Sequence, residues 1–212
     1  MQNVFVVTHA QSQHHLEDRV GGWYDTGLTD LGRRQAKAAA KRLDRLTSGT
    51  NISLVSSDLK RASETAEIIG AVLGSSVSLD KGLRENSYGE ADGKPQSWLD
   101  ERIVVAPEDD RLDHIVVAGA ESKRTFIERI YGSMSQLPLS SDVVIVTHGY
   151  ALTFVIAYWI GVIAYWIGMR IEDAAYVNFA ATPAGITHLM KDDFFRNNAV
   201  KFLNNAAHLI DV

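Results

Sequence analysis

Cysteine is absent from the 212 residues. That excludes disulfides, a thiolate nucleophile and cysteine-ligated zinc, and it predicts a cytoplasmic address. Basic blocks are missing too, and the net charge is −5. The charge pattern therefore offers no partner surface to nucleic acid or to an anionic membrane. No basic segment leading into an apolar core opens the chain, so no secretory signal is expected. What remains is an ordinary globular composition, 46% hydrophobic and 22% charged. It is enough for a single domain over residues 1–212 with a sizeable core.

Two short β-branched runs end in the same way. Residues 4–7 lead into Thr8-His9, and residues 143–146 lead into Thr147-His148-Gly149. A buried strand that delivers a polar residue at its C-terminal edge is where open α/β sheets place ligands, so two imidazoles are expected to meet at one sheet edge. A third apolar run, residues 52–55, precedes Ser56-Ser57-Asp58-Leu59-Lys60-Arg61 and sets Arg61 in the first turns of a helix. Glu85 follows in a loop bounded by Gly89 and Gly93.

The patterning also predicts helices over 30–46, capped by Thr29, over 58–73 and 98–103, and from Glu121-Ser122 through about 136. Strands are expected at 77–79, 142–147, 175–179 and 185–190. Residues 11–22 read as a loop, with His14 and His15 solvated, and residues 195–212 carry no clear period. Strands alternating with helices give a three-layer α/β/α sandwich with a mostly parallel central sheet.

Taken in order, T-H-A-Q-S at 8–12, S-D-L-K-R-A-S-E-T-A at 57–66, L-R-E-N-S-Y-G-E-A-D-G at 83–93 and T-H-G at 147–149 resemble the marks of the histidine phosphatase superfamily, also called phosphoglycerate mutase-like. Leu28 to Ala36 and Glu121-Ser122 are similar to two weaker marks of the same family. The chain departs from the pattern at Thr8, where the family has arginine, and at Ala10, where it has glycine.

The resemblance implies a phosphoglycerate mutase-like fold with a cap or lid at about 86–119 that sets substrate choice. It implies His9 as the nucleophile that forms a phosphohistidine, His148 and Arg61 as holders of phosphoryl oxygens, and Glu85 as the acid and base. Thr8, Ser12 and Gly149 join them as substrate contacts, with Arg19 or Arg84 as alternative sources of the charge missing at position 8. Glu90 is the alternative to Glu85, and a metal held by His9, His14 and His15 is the alternative to a metal-free site. Neither metal nor cofactor is expected. The implied partner is a small phosphorylated substrate or inorganic phosphate, and the implied reaction is hydrolysis of a phosphomonoester. Phosphoglycerate mutase-type transfer and phospho-ligand binding without turnover are the alternatives.

Residues 155–161, Val-Ile-Ala-Tyr-Trp-Ile-Gly, are repeated without change at 162–168. Seven residues add ~10.5 Å to a helix and rotate its face by only ~20°. The uncharged stretch 149–169 reaches the length of a membrane span, but one copy removed leaves a normal core helix. The duplication therefore predicts a homodimer, domain-exchanged through 155–168, with Trp159 and Trp166 on one stripe. Light scattering is expected to give a dimer for the full chain and a monomer after deletion of 162–168. An unchanged mass would sink the idea.

Overall fold

The computed structural model describes residues 2–47, 51–137, 141–166, 178–191, 194 and 198–212, with side chains of the long helix after residue 148 described as far as Gly161. Six strands, β1 (Gln2–Thr8), β2 (Ile52–Ser56), β3 (Val77–Leu79), β4 (Asp142–Thr147), β5 (Ile186–Lys191) and β6 (Asn198–Asn205), form one sheet in the order β3-β2-β4-β1-β5-β6. The β3–β2, β2–β4 and β4–β1 pairs are parallel, and β5 runs antiparallel to both of its neighbours. The helices are α1 (Gln13–Leu16), α2 (Asp30–Thr47), α3 (Lys60–Leu73), α4 (Gln96–Asp100), α5 (Lys123–Ser135) and α6 (Gly149–Trp166).

β1 and β4 are central, and their unbroken Val/Ile/Phe runs are fully buried because both faces are covered. Alternate side chains serve opposite cores. Val4, Val6, Val143 and Ile145 pack against α5 and the start of α6, through Phe126, Ile127, Ile130, Leu152 and Phe154. Phe5, Val7, Val144 and Val146 pack against α2 and α3, through Ala36, Ala40, Leu43, Ala62 and Ile69. The expected three-layer sandwich is the observed one.

Local chemistry explains how the helices begin. Thr29 Oγ1 accepts the Gly32 N–H at 2.9 Å, capping α2. Gly32 itself is required by packing, since a Cβ there would lie 2.0 Å from the Gln11 carbonyl oxygen. Ser122 accepts the Thr125 N–H at 3.2 Å and caps α5.

Residues 86–119 contain α4 and short 3-10 turns, and they gather around a small apolar cluster of Val20, Ala91, Leu99, Val117 and Ala120. Backbone hydrogen bonds from Val20 to Lys94 and from Gln96 to Asp18 tie this segment to the loop before residue 22.

Several expectations change. Residues 13–16 form α1 inside the expected loop, and the unreadable tail supplies β6 and a 3-10 turn at Ala207–Leu209. Of the strand expected at 175–179, residues 175–177 lie outside the described residues, and 178 and 179 are not strand. The second copy of the repeat lies partly outside them as well. Trp159, in the first copy, is only 5% exposed and belongs to the α5/α6 core, so it presents no stripe to a partner. Among the described residues no helix is long and apolar enough to cross a membrane.

Phe154 is fully buried and makes edge contacts with Phe126 and Tyr150 at 5.3 and 5.1 Å. Phe154→Ala is expected to cost about 3–5 kcal/mol in urea denaturation. A loss under about 1 kcal/mol would mean that the start of α6 is not packed into this core.

Candidate active site

The parallel pairing of β1 with β4 sets Thr8 opposite Thr147, so both strands end at one level. The His9 N–H donates to the Thr147 carbonyl at 2.8 Å, and the His9 and His148 rings meet edge to face with centroids 5.1 Å apart. The two threonines are buried and anchor loops. Thr147 Oγ1 donates to the Leu83 carbonyl at 2.8 Å, fixing the segment just before Glu85. Thr8 Oγ1 donates to the Thr182 carbonyl at 2.6 Å, so its one hydroxyl proton is engaged within the fold. Arg19 is held by the Gly93 carbonyl and Glu17. Arg84 makes two 2.6 Å bonds to Asp58. Both arginines offered as substitutes at position 8 thus have other partners.

His9 Nδ1 lies 2.8 Å from the Ala10 carbonyl oxygen. A carbonyl only accepts, so Nδ1 carries the proton and Nε2 keeps its lone pair. Burial, then the Arg61 charge, hold the His9 pKa well below 6.5. Arg61 is 1% exposed at the start of α3. Its Nη1 and Nη2 donate to the carbonyls of Tyr24 and Gly22 at 2.8 and 2.7 Å, and its Nε is buried without a partner. Burial lowers its pKa to about 10 against the opposing pull of Glu85, Asp25 and Asp92, so it remains a cation at neutral pH.

Glu85 accepts from the Asn86 N–H at 2.9 Å and from the Tyr150 N–H, in the first turn of α6, at 3.0 Å. Those donors and Arg61 favour its charged form, but burial outweighs them and raises its pKa. Arg129 braces the loop behind it, bonding the carbonyls of Gly82, Arg84 and Glu85 while paired with Glu121. Glu121 also accepts the Ser87 N–H and so braces the same loop. Glu90 is exposed.

His148 is fully buried, with Nε2 at 2.8 Å from Ser57 Oγ and Nδ1 buried without a partner. Burial, then Arg61 and His9, keep it neutral. Sequence reasoning passed over Ser57, although it stands in the same segment as Arg61. Gly149 opens α6, and a Cβ there would meet only Ala181 at an ordinary 3.8 Å, so space does not demand glycine.

Ser12 Oγ lies 2.9 Å from His14 Nδ1 and 3.3 Å from His15 Nδ1, and the Ser12 N–H donates to His15 Nδ1 at 3.1 Å. The His15 ring stacks on His9 at 5.6 Å, and His14 lies 6.0 Å from His9. His14 is only 8% exposed, its pKa lowered to about 3 by burial and by His15. It is therefore not the solvated loop residue its neighbourhood in sequence suggested. Among the described residues no group of three or more histidine and carboxylate side chains is placed to hold a metal.

Two buried imidazoles, a buried guanidinium and a carboxyl of raised pKa are thus brought together where the parallel strands β1 and β4 end. The family model of the histidine phosphatase superfamily, branch 1, matches residues 4–190, and the chain belongs to that superfamily of enzymes. A probable phosphoglycerate mutase GpmB of Cronobacter sakazakii (strain ATCC BAA-894) is 32% identical over 171 residues, 76% of either chain. One from Salmonella paratyphi C (strain RKS4594) is 30% identical over the same share. A solved mycobacterial glucosyl-3-phosphoglycerate phosphatase with inorganic phosphate has a TM-score of 0.76 at 25% identity, covering 98% of this chain and 99% of that one. The alpha-ribazole phosphatase of Shigella flexneri, at 19% identity, shares the fold with a TM-score of 0.77 over 97% and 98% of the two chains.

The buried imidazoles also govern stability. His9, His14, His15 and His148 all have folded pKa values below 6.5. Below pH 6.5 the unfolded chain binds protons that the folded chain does not, so stability falls as pH falls. The thermal midpoint is expected to drop as pH is lowered from 6.5 toward 3, with a shallower drop for His14→Asn. Equal slopes for the two proteins would remove His14 from this account.

Proposed function

We propose that the protein hydrolyses a small phosphomonoester through a phosphohistidine on His9. The observation that carries this reading is the His9 Nε2 lone pair, fixed by the Ala10 carbonyl, beside His148 and the Arg61 charge. Nε2 attacks phosphorus; the N–P bond forms as the P–O bond to the leaving group breaks, and Glu85 gives its proton to the departing oxygen. Water then attacks the phosphohistidine, Glu85 takes a proton from it, and the N–P bond breaks to release orthophosphate. Arg61 and His148 hold the phosphoryl oxygens through Nε and Nδ1, each of which is buried without a protein partner.

Ser12 acts by orienting His14 and His15, and Thr8 by fixing the turn at Thr182, with Gly149 leaving the first amides of α6 to Glu85. Residues 86–119, tied to the loop that holds Arg61, serve as the cap that sets substrate choice. The absence of cysteine supports a cytoplasmic address, and a homodimer stays a proposal for light scattering. Phosphoglycerate mutase-type transfer is the second reading, favoured by the similarity to the probable phosphoglycerate mutases GpmB.

The test is phosphate release from a panel of small phosphomonoesters by the native protein, His9→Ala and Thr8→Arg. Native turnover abolished by His9→Ala is expected. The kcat/KM profile should fall on the alkaline side as Glu85 loses its proton through its raised pKa, and on the acid side only below 6.5, as His9 gains one. Phosphate exchange between phosphoglycerates with no net release would favour the mutase. No turnover until Thr8→Arg is introduced would replace hydrolysis with binding of a phosphorylated ligand, since one missing charged contact costs on the order of 10²–10³ in rate.

A further inference from the structure

Ser57 has no place among the groups that meet the phosphoryl group, yet it is wholly buried with its hydroxyl 2.8 Å from His148 Nε2. The direction of that hydrogen bond follows from counting donors. Ser57 Oγ already accepts the Leu59 N–H at 3.3 Å. Its own proton has one acceptor in reach among the described residues, His148 Nε2. Were His148 the donor, Ser57 would accept twice and its buried O–H would have nowhere to go, which native interiors avoid. With serine donating, Nε2 is the acceptor and the neutral imidazole carries its single proton on Nδ1.

The alternative tautomer would have a different chemistry. A lone pair on Nδ1 would face the oxygens of a phosphoryl group with like charge, whereas an N–H there donates to them. We propose that Ser57 is a positioning residue that fixes His148 as the Nδ1–H tautomer, so that a neutral imidazole meets the transferring phosphoryl group as a hydrogen-bond donor. The inference rests on the phosphoryl-transfer reading of the site.

The backbone supports the role. The Ser57 N–H donates to the Val146 carbonyl at 2.9 Å, two residues before His148. Its side chain caps the turn that leads through Leu59 into α3 and Arg61. One residue thus ties the strand end that carries His148 to the helix start that carries Arg61. The burial that holds His148 neutral keeps the tautomer meaningful, because a doubly protonated ring would leave Nε2 no longer an acceptor.

The test is nitrogen NMR of histidine-labelled protein, with and without inorganic phosphate, for the native chain, Ser57→Ala and Ser57→Thr, alongside turnover of the best phosphomonoester. In the native protein the His148 Nδ1 resonance should be of the protonated type and Nε2 of the unprotonated type. Ser57→Ala should shift the population toward Nε2–H and lower kcat about 10- to 100-fold, as for other partners that orient an imidazole. Ser57→Thr, which keeps the hydroxyl, should restore both readouts, and circular dichroism confirms that each variant is folded.

A native Nε2–H signal, or a Ser57→Ala protein with native tautomer and native turnover, overturns the proposal even if His9-dependent hydrolysis stands. Conversely, a protein that hydrolyses nothing, but whose Nδ1–H signal moves with inorganic phosphate and is lost in Ser57→Ala, supports the tautomer and removes the hydrolytic reading.

Discussion

Everything at the site depends on the register between two central strands. Val4 to Thr8 pairs residue for residue with Val143 to Thr147, and a one-residue slip would send alternate side chains to the wrong core. The register is held because Val4 and Val143 must face α5 and α6 while Phe5 and Val144 face α2 and α3. Packing on two sides therefore decides, far from the chemistry, that two imidazoles end at one height. The threonines before them extend the same order outward, one to the turn at Thr182 and one to Leu83.

The electrostatics of the site follow from where burial outweighs charge. Arg61 is buried among carbonyls and stays cationic, because a guanidinium shifted to about 10 is still far from neutral pH. The same burial acts on imidazoles whose ordinary pKa sits close to working pH, and there it decides the protonation state. The result is one fixed cation among neutral rings, so the direction of each ring's hydrogen bonds matters more than its charge.

Much of this was legible in the sequence because it lay at breaks of pattern. The runs at 4–7 and 143–146 each stop at Thr-His, and the L-R-E segment stands between glycines, so His9, His148, Arg61 and Glu85 were marked by position. What was not legible depended on contacts distant along the chain. Ser57 touches His148 across 91 residues, and nothing around Ser57 in sequence announces the partner. The burial of His14 comes in part from its own loop folding back over it, since a Cβ at Gly21 would sit 2.8 Å from its Nε2. Strand β6 pairs with β5 through register shifts, which erased the simple alternation that would have marked it.

The hydrogen bonds around Thr182 have a consequence for the perfect heptad repeat. Phe179 donates its N–H to Thr153 Oγ1, Thr182 donates its N–H to Asn204 Oδ1, and Thr8 donates to the Thr182 carbonyl. Thr153 lies upstream of residue 155, and the returning chain is moored again by residue 179. The duplicated segment 155–168 thus falls between two points that are each tied into the fold by residues outside it. With the seven extra residues in the chain, the ties that fix Thr8, and through it the end of β1, are all in place.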